Sequence, residues 1–568
     1  MKNALVLSLM LVCVSLYAKE SKFKIGEMVE GELIIKLKDK QLSKSFYKLN
    51  GLEVKKNLDL EIGFFQVVQT NAKNNKSLNS LLHSLNQDPA IEYAEPNYKY
   101  QVILNKHNQL DITDVLTNNF ATHDPMYNKL WGLENTGNNE PQSRGTNSSP
   151  SGVAGADVNA LAAWNITKGD RSIKIAVIDT GVDYNHEDLR DNMWVNTAEA
   201  NGKPGVDDDG NGYVDDIHGY DFANNDGDPM DGNGHGTHCS GTIAAEHDNN
   251  KGIAGVMSQA QIVAIKFLTD QGSGSTDDAI SAINYATKIG VDIMSNSWGG
   301  GGHSRALEEA IELARDRGII FTAAAGNSAS DNDTDPQYPA NYPVDNIISV
   351  AAHNYNNQLA SFSCYGSDTV HVAAPGRNIL STTPGNTYSV YSGTSMATPH
   401  VTGVIGLYLS HHGKVNPKVV RDKLMASSVY AGAYARTTIS GGRVDAYNFL
   451  TDVVTSRPAK PDDSQWQSKS VDIFTTAHPY AENTSLSKTY THAGAKFMRL
   501  KIEKMEIEES YDSLKIFDGK GNIIQTLDGS HSQITTDYVD GDSITVVFES
   551  DSSVNGWGVE INEVDYIE

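Results

Sequence analysis

Cysteine is scarce in this chain of 568 residues: Cys13, Cys239 and Cys364 are the whole supply. Three thiols make no disulfide framework, so buried apolar cores must hold the fold, and the length allows several. A membrane-spanning run is also missing. The apolar stretch from Ala4 to Leu16 in "MKNALVLSLMLVCVSLYA" falls short of the ~20 residues a span needs, and no other segment qualifies. Placed behind Lys2 and ahead of Ala18, it has the layout of a secretory signal cut after Ala18. The expectation is an exported protein, extracellular or periplasmic, with residues 1–18 removed. Cys13 follows Val12 rather than a small residue and is not read as a lipid-attachment site. Arginine is absent from residues 1–122, where 15 lysines face 13 carboxylates, a net of +2. Net positive charge is then missing from everything else. The total is −26, so the remainder carries −28. An acidic body of this kind excludes nucleic acid as a partner. It suits solubility, cation binding and a basic partner segment.

Residues 19–122 alternate strand-like runs ("GELIIKL", "FFQVVQT", "IEYAEPNYKYQ") with a helical one ("SLNSLLHSLN"), the pattern of a small α+β module. A polar segment from Leu104 to Thr122 follows. Residues 123–454 change character. Apolar, β-branched runs ("IKIAVID", "IVAIKFL", "VDIMSNS", "IIFTAAA", "IISVAA") alternate with helical patterns ("TDDAISAINYATKIG", "SRALEEAIELARDRG", "NPKVVRDKLMASS"). That alternation predicts an α/β domain, a buried parallel β-sheet flanked by helices, with ligands at the carboxyl ends of its strands. "TSRPAKPDD", residues 455–463, reads as a linker. Residues 464–568 show short strand-like runs separated by Gly, Asp and Ser turns, which predicts an all-β sandwich.

Two histidines, His235 and His238, sit in "DGNGHGTHCSGT". A metal site, a general base with a structural neighbour, or a solvated loop would each account for such a pair. Cys239 is the one further ligand type close by. "IKIAVIDTGVD" ends an apolar strand at Asp179, where a carboxylate is placed to hold an imidazole. "YSGTSMATPHVTGVIGLYL" puts Ser395 at the start of an apolar helix, where backbone N–H groups stabilise an oxyanion. "FTAAAGNSAS" ends another strand at Asn327, whose amide is a second donor. Singly these are a turn, an N-cap and a turn. Together they are Asp, His, Asn and Ser in a fixed order, each in a frame of small residues that lets a substrate backbone approach.

"VIDTGV", "GHGTHCSGTIAA", "AAAGN" and "SGTSMATPHVTG" resemble the signature segments of the subtilisin-like serine proteases, across about 325 residues, with that family's Asp…His…Ser order. The resemblance implies that Asp179 orients the imidazole, His235 is general base and then acid, and Ser395 is the nucleophile. It makes Asn327, with the Ser395 backbone N–H, the oxyanion hole, and His238 a structural residue. It implies that Gly272, Ser273 and Gly274 pair with substrate backbone. Ser297, Gly299 and Gly326 would wall the first specificity pocket, with Gln337 near its floor and an apolar lean in preference. Cys239 resembles the free thiol of some branches, or is a small packing residue.

"DDDGNGYVDD" offers Asp207, Asp209, Asn211, Tyr213, Asp215 and Asp216 around a glycine turn, matching half of a Ca2+ loop, or else is an acidic solvated loop. Asp226, Asp228 and Asp231 could form a further cation site. "IEYAEPNYKYQ" resembles the end of a subtilase propeptide, an inhibitor and folding chaperone, with the cut expected between Tyr100 and Asp124. The C-terminal module resembles a CUB-like domain that has lost its cysteines, and Glu508, Asp512 and Asp551 match that family's Ca2+ trio. The implied protein is a secreted, calcium-stabilised, self-processing serine endopeptidase. It would be a monomer acting on protein and peptide substrates, with its own propeptide as inhibitor. The competing readings are a surface adhesion protein that works through the CUB-like module, and an acyl-transferring ligase.

Overall fold

Alternating apolar and polar residues build the N-terminal module. Its strands are β1 (Met28–Leu37), β2 (Leu52–Leu60), β3 (Gly63–Thr70) and β4 (Ile91–Val102), with helices α1 (Lys44–Asn50) and α2 (Asn75–Asn86). The computed structural model describes residues 27–40, 42–72, 75–104, 122–141, 152–457, 461–508, 511–521 and 523–568. The expected signal segment, residues 105–121 and part of the expected linker lie outside these. The four strands form an antiparallel sheet in the order β4-β1-β3-β2. Leu33, Ile35 and Val68 on one face meet Leu78, Leu82 and Leu85 of α2. Two elements of this module gave no signal in the sequence. Helix α1 buries no residue, so it has no apolar face to read. Strand β2, "LEVKKNLDL", is half exposed and rich in charge.

The body is a nine-stranded sheet. From one edge its strands are Val429–Tyr430, Gly442–Arg443, Val372–Pro375, Ile347–His353, Ile320–Ala324, Ile293–Asn296, Gly169–Asp179, Gln259–Lys266 and Gly219–Asp221. Every pair is parallel except the first. Successive residues of one strand serve two cores. Ile175 and Val177 face helices His235–Ala244 and Thr394–His412, while Ala176 and Ile178 face helices Thr276–Lys288 and Arg305–Asp316. Burial on both faces is why these strands read as continuous apolar runs. The C-terminal module is a sandwich of two antiparallel sheets around Met498, Leu500, Ile502, Leu514, Ile516, Val546 and Phe548. It rests on the body through Arg436, whose guanidinium lies 3.6 Å from the Tyr538 ring centroid and 3.1 Å from Asp537.

Strand β4 joins the N-terminal module to the body. Lys36 of β1 reaches Glu309 at 2.9 Å, and Lys56 of β2 reaches Asp277 at 3.1 Å and Asp278 at 2.7 Å. Charge is not all of one sense here, since Glu61 pairs with Arg317 and Glu92 with Arg305. The half-buried Glu95 carboxylate accepts from Ser304 Oγ at 2.6 Å and from the N–H groups of Arg305 and Ala306 at 2.8 and 3.3 Å. It thereby satisfies orphan donors at the start of helix Arg305–Asp316. Glu95→Ala removes three acceptor contacts, worth about 1.5–3 kcal/mol together for a charged acceptor. The dissociation constant of the N-terminal module, added in trans as residues 27–103, is expected to rise roughly ten- to a hundredfold, read by calorimetric titration.

Candidate active site

Strand Gly169–Asp179 delivers Asp179 to the carboxyl edge of the sheet, and helix His235–Ala244 begins beside it with every residue buried. A third residue ties the two together. Asp231, 3% exposed, takes Thr180 Oγ1 and the N–H groups of Asn233 and Gly234 on one oxygen, and the N–H and Oγ1 of Thr237 on the other, all at 2.7–2.9 Å. Burial pushes the Asp231 pKa up, against the pull of these donors. Thr180 also donates its N–H to Asp179 Oδ1 at 2.7 Å and accepts the Gly236 N–H at 3.0 Å. Held in this way, His235 Nδ1 lies 2.8 Å from Asp179 Oδ1, and both side chains are fully buried. The other nitrogen, Nε2, has no hydrogen-bond partner.

Ser395 is the second residue of helix Thr394–His412. Pro399, four residues on, has no N–H, so the Ser395 carbonyl loses its helical partner. Ser297 Oγ at 3.0 Å and Cys239 Sγ at 3.5 Å bond to it instead. The Ser395 hydroxyl, with one proton to give, has two carbonyl acceptors in reach, Ser297 O at 2.9 Å and Ile103 O. Asn327 presents its amide to the same place, with Nδ2 3.0 Å from Ile103 O. Its orientation is set by Oδ1, which accepts the Thr394 N–H and Oγ1 at 2.9 and 3.0 Å. The approach needs Gly393, because a Cβ there would stand 2.8 Å from Ile103 O.

Ile103 is delivered by β4, which lies as a third strand between two short ones of the body. Lys99, Tyr100 and Gln101 pair with Ser275, Gly274 and Ser273 on one side, and Gln101 and Val102 with Gly299 and Trp298 on the other. The Val102 N–H donates to Gly272 O at 3.0 Å, and the Ile103 N–H to Ser297 O at 3.4 Å. The Ile103 side chain would meet a Cβ on Gly299 at 2.8 Å. Gly326 abuts Gln337 and Cys364. Of the residues expected to bind substrate, Gly272, Ser273, Gly274, Ser297 and Gly299 thus line one cleft that the chain's own segment fills, while Gly326 meets Gln337 and Cys364 instead.

His238 is not part of this chemistry. Its Nε2 lies 3.1 Å from Ile379 O and Ser389 O, its ring stacks on Tyr391, and burial depresses its pKa to about 3. Burial also pushes the Cys239 thiol up, which keeps it protonated. Cys239 and Cys364 are both free and buried.

The acidic loop departs in part from expectation. Asp209 and Asp216 converge, but with Glu199, which lies upstream in a short helix and gave no sequence signal. Glu199 also accepts the N–H groups of Asp208, Asp209 and Asp215. Asn196 and Asn211 each donate to both Asp209 and Asp216 at 2.8–3.1 Å. The Asp207 carboxylate accepts the N–H groups of Asn211 and Gly212, that of Asp215 accepts Gly205 N–H, and Tyr213 packs its ring against Tyr220 and Tyr285. The further site suggested for Asp226, Asp228 and Asp231 is corrected: Asp231 is turned inward as described, Asp228 accepts from Tyr184 Oη, and Asp226 accepts the Asp228 N–H. In the sandwich, Glu508, Asp512 and Asp551 do converge, with Asp512 buried.

Comparison with known proteins agrees with this geometry. The model of the Subtilase family matches residues 170–462, and that of the fervidolysin N-terminal prodomain matches residues 19–97. A thermophilic serine proteinase of Bacillus sp. (strain AK1) is 33% identical over 437 residues, 75% of this chain and 88% of that protein. Thermitase of Thermoactinomyces vulgaris is 39% identical over 296 residues, 51% of this chain and 92% of the other. Subtilisin NAT of Bacillus subtilis subsp. natto is 39% identical over 284 residues, 50% and 67% of the two chains.

Asp231→Ala strands buried donors from both segments that carry the acid and the imidazole. The expected loss is about 3 kcal/mol, a fall of roughly 6 °C or more in Tm by calorimetry, with a drop in kcat larger than any change in KM.

Proposed function

We propose that this chain, which belongs to the subtilase family of serine endopeptidases, is an inhibited zymogen that processes itself at the Ile103–Leu104 bond. The observation that carries the reading is the position of the Ile103 carbonyl, held by the Asn327 amide and touched by the Ser395 hydroxyl at the end of a correctly paired strand. In this reading Ser395 Oγ attacks the Ile103 carbonyl carbon while His235 Nε2 takes its proton. Asp179 holds His235 Nδ1–H and stabilises the imidazolium. Asn327 Nδ2–H and the Ser395 N–H receive the oxyanion. His235 then protonates the Leu104 amine, which leaves, and water hydrolyses the acyl-enzyme by the same route in reverse. The prodomain stays as a product-like inhibitor, because β4 keeps its backbone pairing after the cut. The same cleft would hydrolyse peptide bonds of other proteins after aliphatic residues such as Ile103. A scaffold used only for adhesion needs neither the Asp179–His235 pair nor Asn327, so the catalytic reading is favoured.

The residues that would hold Ca2+ are Glu199, Asp209 and Asp216, with the Asn196 and Asn211 amides donating to Asp209 and Asp216 and with Asp207 and Asp215 supporting the loop. The fit rests on the donor set: three carboxylates converge within 4.8 Å, an all-oxygen group suited to a hard cation. A bound ion would neutralise their mutual repulsion and fix the loop against Tyr285, whose Oη donates to Asp216 at 2.6 Å. Glu508, Asp512 and Asp551 form a second candidate trio on the CUB-like sandwich. Export, a signal peptide over residues 1–18, domain limits at 19–122, 123–454 and 464–568, and a monomeric state complete the reading.

Wild type is expected to yield a fragment ending at Ile103 by mass spectrometry. Ser395→Ala stays full length, with amidase activity lower by roughly 10⁶. If the mutant is cut like wild type, self-processing is wrong. Adding Ca2+ to chelator-treated protein is expected to raise Tm by about 5 °C at saturating ion. The rise should be largely absent in Glu199→Gln, measured by scanning calorimetry.

A further inference from the structure

Strand β4 is read by the body well beyond the bond to be cut. Counting back from that bond, Ile103 is the first residue, Tyr100 the fourth and Tyr98 the sixth. Burial along this stretch alternates: Tyr98 and Tyr100 are 3% and 0% exposed, whereas Lys99 and Gln101 between them face solvent. The two tyrosines belong to the same apolar cluster as Trp298, Phe267, Ala306 and Tyr342 of the body. Tyr100 lies edge-on to Trp298, with ring centroids 5.1 Å apart.

The surroundings of Tyr98 are built for it. The ladder with the strand Ser273–Ser275 ends at Lys99, where the body turns into a helix. There the fully buried Thr276 side chain continues the pairing with β4. Its Oγ1 accepts the Tyr98 N–H at 2.9 Å and donates to Tyr98 O at 3.3 Å. The ring itself lies on Gly302, within the glycine run 299–302. A Cβ on Gly302 would stand 2.8 Å from Tyr98 Cζ and 2.9 Å from its Oη, and one on Gly301 2.8 Å from Tyr98 Cβ. Any side chain at Gly302 would take the place of the ring. In the structure Gly299 serves Ile103, Gly301 serves both tyrosines, and Gly302 serves Tyr98.

We infer that Thr276, Gly301 and Gly302 form a subsite for an aromatic residue six positions before the scissile bond, so that preferred substrates are extended peptides long enough to place an aromatic side chain there. The inference rests on the protease reading above. Only alternate side chains are selected, because a strand sends successive side chains to opposite faces. The fifth residue is therefore free to vary.

The test uses the self-processed enzyme and internally quenched peptides containing Tyr-Lys-Tyr-Gln-Val-Ile-Leu, with the first Tyr kept or replaced by Gly and, separately, Lys replaced by Ala. Casein hydrolysis runs in parallel. Burying an aromatic ring predicts kcat/KM about ten- to a hundredfold higher for Tyr than for Gly at the sixth position, and no more than about a twofold effect of Lys to Ala. In Gly302→Val the Tyr-to-Gly ratio is expected to fall toward one. Casein cleavage with equal kcat/KM for the Tyr and Gly peptides, or with no cleavage of either, would overturn the subsite alone. Absence of cleavage of both casein and peptides would overturn the protease reading, and the subsite with it.

Discussion

One buried carboxylate holds the active site in register. Asp231 gathers Thr180 from the strand end and three N–H groups from the turn and helix that carry His235. Without it the segments carrying the acid at position 179 and the imidazole at 235 would keep the Asp179–His235 bond and the Gly236 N–H to Thr180 Oγ1, and would lose the carboxylate that gathers both. Bonds of that kind contribute about 1 kcal/mol each, too little to fix two chain segments to the tolerance that proton transfer requires. Because five donors share one carboxylate, the segments move together or not at all. His238, one turn further along, adds a second anchor by bonding to the carbonyls of Ile379 and Ser389.

The substrate cleft follows from a different constraint. The strands Ser273–Ser275 and Trp298–Gly299 each present an unpaired edge, and exposed edges seek a partner. Strand β4 satisfies both, and its polypeptide continues directly to Ile103 beside Ser395. Inhibition and catalysis therefore use the same backbone recognition. What separates the folded prodomain from a substrate is its second attachment, through Glu95, Lys36 and Lys56, which holds it in place independently of the cleft. The proline at 399 belongs to this arrangement too. By freeing the Ser395 carbonyl it lets Ser297 and Cys239 brace Ser395 from below.

Charge acts at longer range. The body is strongly acidic, and three of its carboxylates converge at Glu199, Asp209 and Asp216, where repulsion is offset by two asparagine amides and a tyrosine hydroxyl. The prodomain docks with lysines on acids in two places. Elsewhere at the same interface the signs are reversed, at Glu61–Arg317 and Glu92–Arg305. Net charge alone therefore does not explain the fit. Paired geometry does.

The sequence by itself determined the doubly covered parallel sheet, since strands buried on both faces must be apolar at every position. It also pointed to Asp179, His235 and Ser395, because each stands in a short frame of glycine and small residues. Strand β2 and helix α1 escaped notice because neither carries an apolar pattern distinct from a charged surface. Only the tertiary structure decided which acids meet. Asp231 looks from its neighbours like one more loop carboxylate, and its burial depends on Thr180, 51 positions away. Glu199 joins Asp209 and Asp216 across a turn with no periodic signal. Ile103 is an ordinary aliphatic residue until β4 is paired on both sides. These roles arise from contacts between distant segments, and local patterns in the chain carry no information about such contacts.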